Sequence, residues 1–335
     1  MSHRPQGRPE PGGHESPDRG IPPFSLPSIF LRRLRSIVGD SHFDSVVRSF
    51  AIPKKTAFRV NTLKANPPDV VVELSRIGVP AHSVEWCKHA FWVEPEQREA
   101  LTHSSPATDG RIYVQGLSSI LATLILDPRP GEWNLDLAAA PGGKATHIVA
   151  LMNNDGKLSV VEPIRKRMYR LADNLKRMGS QISKTYLMDG RKAGRKVPGR
   201  FDRVLLDAPC SSESRMRADD PDSCRYWSLR KIREQSRKQA GLIESALSTL
   251  KPGGTLLYCT CSFAPEENEF VVSWLLEAAG DGVEVAPIEL PLDHWQPGLT
   301  RFGDHEFHPA VTATRRILPT AWFDGFFLAK IVKCR

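Results

Sequence analysis

From Tyr113 onward the chain alternates short apolar runs with amphipathic stretches, and few folds can absorb that alternation. Runs at 133–138, 157–161, 185–188, 201–206 and 255–259 read as strands, and the segments near 143–153, up to 178, up to 250 and over 265–279 read as helices. Stretches such as Val204-Leu205-Leu206 and Leu256-Leu257-Tyr258 show no polar alternation, so both faces of those strands are buried. The pattern predicts an α/β fold: a mostly parallel, Rossmann-like sheet of seven strands with helices on both faces. Residues 283–286 and 325–332 close it as an antiparallel pair. A helix over 115–126 leads in, and Lys251-Pro252-Gly253-Gly254 caps the helix before the last parallel strand. In such sheets ligands bind beyond the carboxyl ends of the strands.

Ahead of this unit, 29–38 has helical spacing, 58–63 alternates like a strand, and 68–77 reads as a helix stopped by Gly78. A second strand-like run holds Val84, Trp86, Phe91, Trp92 and Val93, and 106–110 reads as a loop. Residues 24–112 are therefore expected to form a small α+β accessory domain, preceding the main domain at 113–335. Residues 1–23, with six Pro and four Gly, are expected to be a disordered tail.

No stretch approaches the roughly 20 apolar residues of a membrane helix, and no apolar secretory core follows the N-terminus, so a cytoplasmic monomer without membrane contact is expected. The six cysteines include no Cys-x-x-Cys pair, which argues against a disulfide scaffold and against a metal site. Net charge is +8, and 163–200 alone carries twelve Lys/Arg against two acids, so the remainder is slightly acidic. That asymmetry points to a phosphate backbone as partner; the alternative is a solvated helix face.

The chemistry gathers at strand ends. After the first strand, Ala138-Ala139-Ala140-Pro141-Gly142-Gly143-Lys144 turns through small residues that let a ligand approach backbone amides. A phosphate loop needs Ser or Thr after Gly-Lys, but Ala145 stands there, and the three glycines of a dinucleotide fingerprint are absent. A loop for S-adenosylmethionine tolerates the pattern. Glu162, at the end of the second strand, has the spacing to accept ribose hydroxyls, or else caps the following helix. Asp189, after the third strand, is placed to accept from an adenine amino group, or is a plain turn residue. Asp207-Ala208-Pro209-Cys210 and Thr260-Cys261-Ser262 end the fourth and fifth strands, so two thiols meet over one substrate. Glu266-Glu267-Asn268-Glu269 reads as the acidic first turn of a helix.

With these residues in order, 24–335 resembles the Sun/Nop (RsmB-type) family of S-adenosylmethionine-dependent RNA (cytosine-5) methyltransferases. The resemblance also rests on Phe58-Arg59-Val60-Asn61-Thr62-Leu63-Lys64, Tyr113-Val114-Gln115 and Asp324-Gly325-Phe326-Phe327-Leu328-Ala329-Lys330. It implies a class I methyltransferase fold. It implies cofactor contacts at 138–144, Glu162, Asp189 and Asp207, with Cys261 as nucleophile and Cys210 assisting product release. The RNA target, ribosomal or transfer, must present its cytosine unstacked. Three positions depart from the family pattern: Ala138 where Cys is frequent, Cys259 where Ser is usual, and Ser212-Glu213-Ser214 in place of a Gly-x-Gly-like turn. The implied chemistry is addition of the Cys261 thiolate to cytosine carbon-6, which activates carbon-5, with a protonated Asp207 donating to the ring. The alternatives are a non-catalytic RNA-binding or ribosome-assembly protein on this fold, and an amino methyltransferase that needs no thiol.

Overall fold

The computed structural model describes residues 26–334, so the tail expected over 1–23 lies outside the described residues. Phe30, Leu34, Ile37 and Val38 share one face of α1 (Ser28–Val38) and are buried. Gly39, at φ +78°, turns the chain into α2 (Asp40–Ser49), which buries only Val46 and Ser49 and so left no periodic signal in the sequence. Next come β1 (Thr56–Val60), α3 (Pro67–Arg76), β2 (His82–Val84), β3 (Cys87–Val93), the short helices α4 (Arg98–His103) and α5 (Ser105–Thr108), and β4 (Ile112–Val114). The four strands form one antiparallel sheet in the order β2-β3-β1-β4.

Two local expectations change here. The strand expected over 58–63 ends at Val60, because the Asn61 side chain turns the chain by donating to the Gly110 and Met178 carbonyls, each at 2.8 Å. The loop expected over 106–110 begins inside α5 and ends at Gly110, whose φ of +75° and position against the Arg177 carbonyl leave no room for a side chain.

The large sheet follows, built from α6 (Leu117–Leu126), β5 (Trp133–Asp136), α7 (Gly143–Leu151), β6 (Lys157–Glu162), α8 (Arg165–Arg177), β7 (Ser183–Leu187), α9 (Ala193–Lys196), β8 (Phe201–Asp207), α10 (Leu229–Thr249) and β9 (Leu250–Thr260). Then come α11 (Glu269–Ala279), β10 (Val283–Ala286), β11 (Trp295–Pro297), the small hairpin β12 (Arg301–Phe302) and β13 (His305–Glu306), β14 (Arg315–Ile317) and β15 (Phe326–Lys333). The order is β11-β14-β15-β9-β8-β5-β6-β7, with β10 also on β15. β5 to β9 are parallel and β15 antiparallel to β9, as the α/β reading requires. The sheet has nine strands where seven were expected. β10 covers β15 only at 330–333, and β14 takes the open edge at 326–328. The Lys251-Pro252-Gly253-Gly254 stretch expected to cap a helix lies instead within β9.

Strand faces alternate between two cores. Leu257, Cys259 and, just past the strand, Cys261 face the cluster under α6, α7 and α8, whereas Leu256 and Tyr258 face the cluster under α10 and α11. A third cluster packs Phe30, Leu34 and Phe50 against Met216, Phe263 and Leu318, so the first two helices brace the loops that follow Cys210 and Cys261. β5 lies between β6 and β8, and its connections leave in opposite directions at that point. The crevice this opens at the carboxyl ends of β5 and β8 is where the strand-end motifs meet.

Candidate active site

Leaving β5, the chain passes over its neighbours: Leu137 N–H donates to Leu205 O and Ala139 N–H to Val161 O, both at 3.0 Å. The Ala140–Pro141 peptide is cis, and the Ala140 and Pro141 carbonyls accept from Arg167 Nη2 (2.8 Å) and Asn174 Nδ2 (2.9 Å) of α8. Gly142 then enters α7 at φ +110°, where a Cβ would touch Leu171 at 3.0 Å. Only glycine accommodates both demands.

A cleft of about 490 Å³ opens over this loop. Its walls include Tyr113, Gln115, Ala138 to Pro141, Gly143, Lys144, Asp207, Cys210, Arg215 and Cys261. The two sulfurs lie 3.2 Å apart. The Cys210 hydrogen bond, aided by the Arg215 charge, draws the Cys261 thiol down to about 7, while the same contact and burial push Cys210 well up. The contact thus favours an ionised Cys261 beside a protonated Cys210.

Asp207 ends β8 with both oxygens engaged. Lys144 Nζ donates to Oδ2 at 2.6 Å and also to Ser119 Oγ at 3.0 Å, while the Cys259 thiol donates to Oδ1 at 3.7 Å. Burial raises the Cys259 thiol far above its ordinary value, so it serves as a neutral donor behind Asp207. Asp136, fully buried at the end of β5, is raised to about 7 by desolvation and by the Asp207 charge.

Glu162 and Asp189 do not line the cleft. Buried Glu162 accepts from Ile164 N–H at 2.9 Å through Oε1, and Oε2 faces Arg167 at 3.4 Å. Asp189 caps the turn after β7 and pairs with Arg191 at 2.6 Å, which holds its carboxyl below the ordinary value.

Of the acids after Cys261 only Glu269 lies in a helix first turn, because α11 begins there and leaves Glu266 and Glu267 ahead of it. They are clamps between distant segments. Glu267 accepts from Ser211 N–H at 2.8 Å and from the Ser211 hydroxyl, and burial raises it to about 7. Asn268 Nδ2 donates to Ser262 O at 2.8 Å, while buried Glu269 pairs with buried Arg316 and half-buried Glu266 takes Arg33. From the other loop, Glu213 accepts from Trp227 Nε1 (2.8 Å), Ser262 Oγ (3.1 Å) and Phe263 N–H (2.9 Å). The thiols are thus held in register by Glu267 and Glu213, carboxylates that each bridge the two loops. Sequence reasoning missed Gln115, Arg167 and Arg215 as cleft residues; Gln115 had a signal in the Tyr113-Val114-Gln115 motif, whereas the two arginines had none beyond charge.

Among the described residues no group of three or more His, Cys, Asp or Glu could hold a metal ion, and no helix is long and apolar enough to cross a membrane. All six cysteines are free thiols.

Residues 123–332 match the family of the 16S rRNA methyltransferase RsmB/F, and 26–117 match the N-terminal domain of 16S rRNA methyltransferase RsmF. The ribosomal RNA small subunit methyltransferase F of Escherichia coli O139:H28 is 36% identical over 314 residues, covering 92% of this chain. That of Shigella boydii serotype 18 is equally similar. This chain spans 63% of the length of these relatives. The crystal structure of a methyltransferase homolog protein from Pyrococcus horikoshii superposes with a TM-score of 0.78 at 34% identity, covering 91% of this chain and 94% of that one.

Proposed function

The chain belongs to the RsmB/F family of 16S rRNA methyltransferases, and from that premise we propose that it methylates carbon-5 of a cytosine in RNA, ribosomal RNA before transfer RNA, through a covalent bond from Cys261 to the base. The observation that carries this reading is the 3.2 Å apposition of two cysteine sulfurs in a cleft that also holds a Lys–Asp pair. An amino methyltransferase has no use for the two sulfurs.

The cleft fits S-adenosylmethionine. Gln115 lines it with a buried Nε2 that lacks any hydrogen-bond partner, beside the glycine loop at Gly143. Residues 138–144, Gln115 and Asp207 would hold the cofactor, and Glu162 would take its ribose once Arg167 moves off Oε2; Asp189 would reach the adenine only by releasing Arg191. When bound, S-adenosylmethionine supplies an electrophilic methyl group for carbon-5.

The chain's own residues do the rest. The Cys261 thiolate adds to carbon-6 of the flipped-out base, and the ring π electrons shift so that carbon-5 becomes nucleophilic. Negative charge on the ring nitrogen is met by a proton delivered through Asp207, supplied by the Lys144 ammonium 2.6 Å away. Once its sulfur is bonded to carbon, Cys261 is a poor acceptor, so Cys210 gives up its proton to solvent at the cleft mouth and, as the thiolate, becomes the base. It removes the carbon-5 hydrogen, the electron pair reforms the ring double bond, and Cys261 leaves as thiolate. The ring proton returns through Asp207 to Lys144. Residues 24–112 are read as an accessory RNA-binding unit and 113–335 as the methyltransferase unit.

Denaturing gels of Cys210→Ala and Cys261→Ala, with cofactor and substrate RNA, test the scheme. Cys210→Ala should accumulate covalently on methylated RNA, and Cys261→Ala should give neither adduct nor methylation. Adduct from the Cys261 variant alone would exchange the roles, and methylation intact in both would end the covalent reading.

A further inference from the structure

Among the described residues three cations line the cleft, and two of them are spoken for: Lys144 by Asp207 and Arg167 by Glu162 and the Ala140 carbonyl. The third, Arg215, is exposed to the cleft and makes neither a salt bridge nor a side-chain hydrogen bond among the described residues. Its backbone is nonetheless fixed beside the thiols. Ser214 N–H donates to the Cys261 carbonyl at 3.1 Å, and the buried Glu213 carboxylate ties the same turn to Ser262 and Phe263. Ser212 begins this turn at φ +59°, a left-handed conformation unusual for a residue with a side chain, and its hydroxyl faces the Cys261 sulfur. The turn is thus bonded to the residues around Cys261 while its one cation makes no direct ion pair or side-chain hydrogen bond among the described residues.

We propose that the Ser212–Arg215 turn is a thiolate-holding device, in which Arg215, assisted by the Ser212 hydroxyl, is the positioning residue that keeps Cys261 rather than Cys210 ionised. This rests on Cys261 being the nucleophile. The groups around that sulfur leave few other candidates. Cys210 shares a hydrogen bond with it, Asp207 opposes its charge, Lys144 is locked onto Asp207, and Glu267 is occupied by Ser211. A positive charge lining the same cleft, on a turn whose Ser214 N–H is bonded to the Cys261 carbonyl, favours an ionised sulfur at Cys261. The direction of the Cys261 shift agrees, since Arg215 is among the causes that lower it.

The test reads ionisation without RNA or cofactor, so it stands apart from the methylation scheme. Alkylation of Cys261 by iodoacetamide, followed site by site by mass spectrometry from about pH 5.5 to about pH 9.5, gives its titration in the full chain. Arg215→Gln should move the midpoint upward and slow alkylation at pH 7 by roughly 2- to 6-fold, as half to one unit of pKa gives for a thiol that starts at about 7. Arg215→Lys should restore most of the profile, and Ser212→Ala should shift it in the same direction by less. An unmoved midpoint in Arg215→Gln would overturn the proposal, as would a shift that lysine fails to rescue. Should the glutamine variant not fold, by circular dichroism, the Ser212→Ala profile decides alone: no upward shift refutes the device. Failure of the covalent scheme itself would instead appear as methylation surviving in Cys261→Ala.

Discussion

At the scale of single residues, the site depends on buried carboxyl groups that bridge two loops. Glu267 is raised to about 7 by burial from an ordinary value of 4.5, so over that range the native state binds a proton that the unfolded chain releases. Its contribution to stability is full below the unfolded value and is lost as pH rises through about 7. Urea unfolding at pH 5 and pH 7.5 should therefore show stability falling with pH, with a share of at most about 3 kcal/mol from this group. Glu267→Gln should flatten the fall, and an unchanged pH slope would place the shift elsewhere, Asp136 being the first alternative. The identity of these residues was readable in the sequence, but their roles were not. Glu267 and Glu269 looked like acids serving a helix dipole, and only the fold shows one bonded to Ser211 and the other to Arg316.

At the scale of elements, the basic run divides in two. Met168, Leu171 and Leu175 bury one face of α8, while Arg165, Lys166 and Arg170 stand exposed on the other, without an ion pair among the described residues and with Tyr169 between them. This exposed face begins at the carboxyl end of β6, on the cleft side, which suits it to phosphates flanking an unstacked base. Arg167 is engaged instead with the loop after β5 and with Glu162. Reversing Arg165, Lys166 and Arg170 together should lower the slope of log K against log salt for RNA binding by roughly 0.7 to 0.9 for each phosphate no longer neutralised. An unchanged slope would mean the face is merely solvated. Helix α8 was legible because its apolar spacing is regular. Strands β11 and β14 were not: Arg315-Arg316-Ile317 is polar in sequence, and Arg316 becomes buried only because Glu269 neutralises it.

At the scale of the whole molecule, Arg59 joins the small sheet to the glycine turn that opens α7. Carried on β1 and almost fully buried, it donates to Gln115 at 2.9 Å and to Thr146 of α7 at 2.7 Å, and Tyr113 lies under its guanidinium. Arg59→Met should cost about 2–4 kcal/mol in urea unfolding, since it strands buried polar partners, and Arg59→Lys should recover part of that. A neutral methionine variant would show that the two sheets are held by apolar contact alone. What the sequence by itself determined is the parallel sheet, the strand-end loops and the two cysteines, because strands buried on both faces write themselves as apolar runs and ligand loops follow them at fixed places. Tertiary structure alone decided how close the two sulfurs lie, which arginine faces the cleft, and which acids hold the loops. Those properties depend on distances between residues far apart in the chain, and on the burial of charge that only the packed fold creates.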